Sequence, residues 1–130
     1  MKKLISIFLF LPVFSFAQTE WEYVGTDNAK SEYYVKDYYK KEYSEYISTW
    51  LKVVHPDKFV RTKKGTVKKN GTISMQKWKF NCSEKTMALV SYAEYLDGNL
   101  IKSGEGLENN TDVVPESIGE SLLNYLCSKF

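Results

Sequence analysis

The sequence predicts an α+β domain: a single antiparallel β-sheet of about five to six strands, with a C-terminal helix tethered to it by a disulfide. Three observations carry that prediction. Apolar and polar residues alternate with the period of two that a half-buried strand requires, punctuated by Asn70-Gly71 and Asp97-Gly98 turn pairs. From Pro115 onward the period becomes helical. The two cysteines of the chain, Cys82 and Cys127, both fall on inward-facing positions.

The first segment is not part of that domain. Lys2 and Lys3 precede an apolar run from Leu4 to Phe16, interrupted by Ser6, Pro12 and Ser15, and Ser15-Phe16-Ala17 leads into Gln18. Charge, apolar stretch and small-residue junction are the layout of a secretory signal peptide, predicted to occupy residues 1–17 and to leave 18–130 as one domain. A membrane-spanning helix needs about 20 apolar residues, and this run is shorter and broken by Pro12. No second long apolar run follows, so no transmembrane segment is expected in the mature chain.

Subtracting the signal changes the charge reading. The chain has 18 basic and 16 acidic residues, and two of the basic ones are Lys2 and Lys3, so the mature domain is formally neutral. Its charges are nevertheless segregated, with 9 basic and 1 acidic residue between positions 58 and 85 and acidic excess on both sides. Neutrality and export together argue against nucleic acid as a partner. An oxidising compartment permits a bridge, and two cysteines allow only one, Cys82 to Cys127. The alternative is a pair of reduced, buried thiols.

The elements follow in order. Glu20 to Thr26 alternates Trp21, Tyr23 and Gly25 with acidic and small residues, and Asp27-Asn28 supplies turn chemistry before Tyr33-Tyr34-Val35, giving two short strands. Tyr39, Tyr43, Tyr46 and Trp50 fall at helical spacing, so a helix is possible there. The β-branched and aromatic run toward His55-Pro56 favours a strand from about Ile47. Lys58 to Lys69 precedes Asn70-Gly71, read as a two-residue hairpin turn. Trp78, Phe80 and Cys82 then point one way, and Lys77, Lys79 and Asn81 the other. Thr86 to Leu96 is apolar on both faces, as a central strand would be, and returns through Asp97-Gly98 to Leu100-Ile101. Pro115, Ser117 and Glu120 form a helix entrance with a capping box, and Leu122, Leu123, Leu126 and Cys127 share a face, with Gly119 one turn earlier allowing close approach.

Few residues suggest chemistry. His55-Pro56-Asp57-Lys58 copies the loop of J-domain co-chaperones, but a β-branched run precedes it where that domain has a helix. His55 is the only histidine, both cysteines are assigned to a bridge, and no G-x-S-x-G elbow occurs. A zinc site would want several His and Cys ligands. The chain is therefore read as non-enzymatic, with no cofactor and no metal. A carboxylate pair, or His55, in a cleft would be needed to revive catalysis. The usable feature is the basic stretch: Lys58, Arg61, Lys63, Lys64, Lys68 and Lys69 flank a hairpin, and Lys77 and Lys79 project from the next strand. Such a cluster attracts acidic protein or polysaccharide surfaces. The same lysines would also serve simply to keep an edge strand from aggregating.

With these landmarks in order, the chain resembles the surface-adhesin protein E family of bacterial envelope proteins. The likeness lies in Trp21, Tyr34-Val35-Lys36-Asp37, Trp50-Leu51-Lys52, Phe80-Asn81-Cys82, Tyr95-Leu96-Asp97-Gly98, and Pro115-Glu116-Ser117 leading to Cys127. The resemblance implies a compact antiparallel sheet with a C-terminal helix, adhesion to host matrix or serum proteins, and a capacity to form homodimers. The chain departs from the lipoprotein namesake in having no lipid-accepting cysteine near residue 18. Periplasmic, secreted and surface locations therefore stay open, and so does a second function, a soluble periplasmic housekeeping or inhibitor-like binding module.

Overall fold

The computed structural model describes residues 20–130, and the signal peptide expected at residues 1–17 lies outside the described residues. Nine strands and one helix follow in the order β1 (Glu22–Thr26), β2 (Glu32–Lys40), β3 (Tyr46–Val54), β4 (Lys58–Thr62), β5 (Gly65–Lys69), β6 (Ile73–Asn81), β7 (Thr86–Leu96), β8 (Asn99–Glu105), β9 (Thr111–Asp112) and α1 (Ile118–Cys127). The main sheet runs β1-β2-β3-β6-β7-β8, with β9 paired to the first residues of β7. All of its pairings are antiparallel. The α+β expectation is corrected in proportion: the fold is mainly β with a single helix. It is also not a single sheet, because β4 and β5 pair only with each other.

Strand rather than helix wins over Tyr39 to Trp50 for a local and a packing reason. Tyr43 has φ 63° in the turn between β2 and β3, a conformation no helix accommodates. Past it, Ile47, Thr49, Leu51 and Val53 alternate onto one face and are all buried. Val35 from β2 and Phe80 from β6 join that face, and α1 covers it with Leu122, Leu123 and Leu126. Each such side chain contributes about 1.5–3 kcal/mol on burial.

The helix is fixed at both ends. Ser117 stands at the N-cap in extended conformation, and its Oγ accepts a hydrogen bond from the Glu120 N–H at 3.3 Å. At the other end Cys127 is bonded to Cys82, just past β6, in the expected disulfide. Close approach is not what Gly119 provides: an added Cβ would lie 3.4 Å from Met87 Sδ, an ordinary van der Waals contact. Asn81 is not on a solvent face as its alternation implied: it is buried, and its Oδ1 accepts from the Glu84 N–H, shaping the β6–β7 turn.

The two turn pairs part company. Asp97 (φ 49°) and Gly98 (φ 79°) make the β7–β8 hairpin with both central residues at positive φ, as expected. Asn70-Gly71 makes no hairpin. The reversal lies at Lys63-Lys64, between Thr62 and its partner Gly65, which carries the positive φ of 112°. Val54 pairs with Ile73 and Lys58 with Lys69, so β4–β5 continues the register of β3–β6 after three residues on each strand. In that register Pro56 faces Gly71, and proline has no N–H to give the ladder. The Gly71 N–H turns instead to Asp57 Oδ1 at 2.8 Å. A Cβ on Gly71 would sit 1.9 Å from the His55 carbonyl oxygen, so the glycine answers close approach rather than a left-handed turn.

Candidate functional site

Three places bear on function, and the basic residues singled out in the sequence are divided between two of them. Lys58, Arg61, Lys63, Lys64, Lys68 and Lys69 all lie on the β4–β5 ribbon, where every residue but Val60 is exposed. A two-stranded ribbon is marginal on its own. Its anchorage is at the root: His55 N–H to the Thr72 carbonyl at 2.9 Å, Asn70 Nδ2 to Asp97 Oδ1 at 3.0 Å, and Lys68 Nζ to Asp57 Oδ2 at 3.3 Å. That last contact is the one ion pair among the described residues. The Gly71 amide and Lys68 together hold the Asp57 carboxyl below its usual range.

At the root lies a cleft of about 510 Å³, lined by Asp27, Ser31, His55, Lys58, Lys69 and neighbouring backbone. His55 therefore does sit in a cleft, beside a serine and an aspartate. Ser31 Oγ and His55 Nδ1 are 2.9 Å apart. The arrangement is nonetheless no nucleophile–base–acid relay. Asp27 accepts from the Ser31 N–H (3.0 Å) and the Tyr33 hydroxyl (2.8 Å) and does not hydrogen-bond the imidazole, and Ser31 is only 3% exposed. The Tyr33 phenol holds the Asp27 carboxyl below its usual range, while burial and Asp27 push Tyr33 up to about 12. These contacts pin the β1–β2 turn to the end of β3. The His-Pro-Asp-Lys run thus forms a ladder break between two strands, not a loop between helices.

Lys77 and Lys79 lie elsewhere, on the face of the sheet opposite α1. Register puts Trp50 between Lys36 and Lys77 in one cross-strand row, Tyr34, Lys52 and Met75 in the next, and Ser48 beside Lys79. The lysines lie against rings: Lys52 Nζ is 4.9 Å from the Trp21 ring centre and 4.8 Å from that of Tyr34, and Lys77 Nζ is 5.9 Å from that of Trp50. Tyr23 meets Tyr34 edge to face at 5.5 Å. Sequence reasoning assigned no role to Trp50, Lys36 or Lys52 beyond the family likeness. The signal that would have found them is parity, because Trp50 and Lys52 alternate with the buried Thr49, Leu51 and Val53. Its use requires knowing that β3 neighbours both β2 and β6.

Among the described residues no group of three or more His, Cys, Asp or Glu side chains is placed to hold a metal ion, and no helix is long and apolar enough to cross a membrane. A family model described as Surface-adhesin protein E matches residues 21–128, from the first aromatic of the helix-free face to just past the disulfide. No curated protein and no solved structure gives a significant match.

Proposed function

The chain belongs to the surface-adhesin protein E family, and we propose that it is an exported, non-enzymatic envelope protein that adheres to an acidic protein or polysaccharide surface, host extracellular matrix included. The observation that carries this reading is the ribbon. It presents Lys58, Arg61, Lys63, Lys64 and Lys69 exposed and without an ion pair among the described residues. A charge cluster held off the core steers encounter with an opposite surface and costs the fold little when altered.

The test has two parts. Replacing Lys58, Lys63, Lys64 and Lys69 with glutamine, which leaves the Lys68–Asp57 ion pair in place, weakens binding to an immobilised basement-membrane extract by about tenfold or more at low salt, because exposed pairs are worth about 0.2–1 kcal/mol each. The difference shrinks toward 1 M salt, where the Debye length is about 3 Å. Unchanged low-salt binding overturns the ribbon's role. Protease added to intact cells cleaves the protein if it is displayed. A protein left whole by that treatment belongs in the periplasm and is not an adhesin. Removal of residues 1–17 on export is checked by the mass of the mature chain, which begins at Gln18.

A further inference from the structure

The helix covers one face of the sheet, and the other is paved with aromatic rings and lysines. We infer that this helix-free face is a second binding site, separate from the ribbon, for an acidic polysaccharide. Five lysines belong to it or its rim: Lys36, Lys41, Lys52, Lys77 and Lys79. None forms an ion pair among the described residues, and Lys36, Lys52, Lys77 and Lys79 are only partly exposed. Held against the faces of Trp21, Tyr34 and Trp50, three of them keep their charge next to π-electrons rather than next to carboxylates. An arriving anion gains charge-assisted contacts without breaking an existing ion pair.

The surface is also hollowed. A depression of about 330 Å³ is bounded by Lys41, Lys77 and Lys79 and by the hydroxyls of Tyr39, Tyr46 and Ser48, with no carboxylate in its lining. It adjoins a shallower one of about 650 Å³ that shares Lys77 and Val90 and has Trp50 in its wall. Glu105 and Glu108 stand on the far side of that second hollow, so charged groups of a ligand settle toward Lys77 and Lys79 and away from them. Trp50 is 39% exposed, an aromatic plate available to the apolar face of a sugar ring.

Spacing decides between a single ion and a polymer. Lys36 and Lys77 are two strands apart, about 10 Å, and Lys77 and Lys79 are two residues apart, about 7 Å. One small anion cannot contact all three, whereas a chain bearing a charge at regular intervals can. A hollow lined by Tyr39, Ser44, Tyr46 and Ser48, next to one with an aromatic plate, fits a sugar better than an acidic peptide, which would need an apolar pocket for an anchor side chain.

The test is a titration of the purified exported chain, followed by the tryptophan indole N–H signals in NMR, assigned with Trp→Phe variants. The probes are a uronic-acid hexasaccharide, a sulfated hexasaccharide, a neutral glucan of the same length, inorganic phosphate and oligoglutamate. One or both acidic sugars shift Trp21 and Trp50, and the two arms tell whether carboxylate or sulfate is preferred. Trp78 stays still, because its N–H is bonded to Gln76 at 2.7 Å on the helix side. The Lys77→Gln/Lys79→Gln variant, with thermal midpoint unchanged, binds about tenfold more weakly, and the ribbon variant binds as the parent does. Equal binding of the neutral glucan, a response to phosphate as large as that to the sugars, a response to oligoglutamate alone, or loss of binding in the ribbon variant only would each overturn the inference.

Discussion

Reducing the Cys82–Cys127 bond tests what holds the helix to the sheet. The cysteines are 45 residues apart in sequence. Loop-closure entropy for a cross-link of that span amounts to about 4 kcal/mol at 25 °C. A domain of this size loses about 4 °C of thermal midpoint per kcal/mol, so the reduced protein should melt about 15 °C below the oxidised one. The expected mechanism is specific. The bond restricts the unfolded chain, while in the folded state Leu122, Leu123 and Leu126 remain packed on Val35, Ile47 and Phe80. Far-UV circular dichroism with and without reductant gives the two midpoints, and a Cys82→Ala/Cys127→Ala variant guards against incomplete reduction. The helical signal at 20 °C should survive reduction, because the apolar contacts of α1 do not pass through sulfur. A midpoint shift below about 5 °C would refute the entropic account. Loss of the helical signal under native conditions would show that packing alone does not seat the helix.

Further outcomes follow from particular contacts. Gly71→Ala drives a Cβ into the His55 carbonyl and costs about 1–3 kcal/mol, as overpacking does; limited proteolysis should show faster cleavage in the β4–β5 ribbon than in the parent. Ser117→Ala removes the N-cap acceptor of Glu120 N–H and costs about 1 kcal/mol in thermal unfolding. In an absorbance titration at 295 nm, Tyr33 and Tyr125 should ionise near 12. Tyr33 is raised by burial and Asp27, and Tyr125 by its hydrogen bond to Glu22 and then by burial. Because both pKa values are raised above 10, the neutral phenols contribute stability that is fully present below pH 10 and disappears as pH climbs through 12. Asp27 has the opposite sign: its pKa is lowered, so its contribution is present above 3.8 and lost as pH falls through the depressed value. Asp27→Asn should lower the Tyr33 titration only part of the way, because burial, the larger cause, remains.

Local sequence signals predict the structure where local physics decides the outcome. Asp97-Gly98 needs two positive φ angles and obtains them, and the Ser117 cap needs only its own helix. The chemistry of Asn70-Gly71 suits a turn, whereas its conformation is set by Pro56 across the ladder, a partner fourteen positions and more away in sequence. The helical spacing of Tyr39, Tyr43, Tyr46 and Trp50 arises by chance across a turn, since Tyr43 is 99% exposed and Tyr39 and Trp50 belong to different strands. Grouping all eight basic residues as one patch failed for a related reason. Sequence proximity joins Lys69 to Lys77, but the ladder break at Pro56 and Gly71 lies between them.

That break also explains how one hairpin serves two surfaces. Up to Val54 and Ile73 the β3–β6 ladder has a buried face, so its alternation is dictated by the core and every second residue is forced outward. Trp50, Lys52, Lys77 and Lys79 are those outward residues. Beyond Pro56 the ladder has no buried face, the constraint of an inside face disappears, and lysine, arginine, threonine and glycine stand beside an exposed Phe59 and Val67, with Val60 only half-buried. Charge on the ribbon is thus unconstrained by packing, whereas charge on the sheet face is spaced by the pleat and buttressed by rings. On the proposed reading the ribbon would capture a varied acidic surface and the sheet face would distinguish a regular one. Because neither contributes to the cluster under α1, substitutions in each should alter binding without altering the thermal midpoint, and the two contributions are separable in a single set of variants.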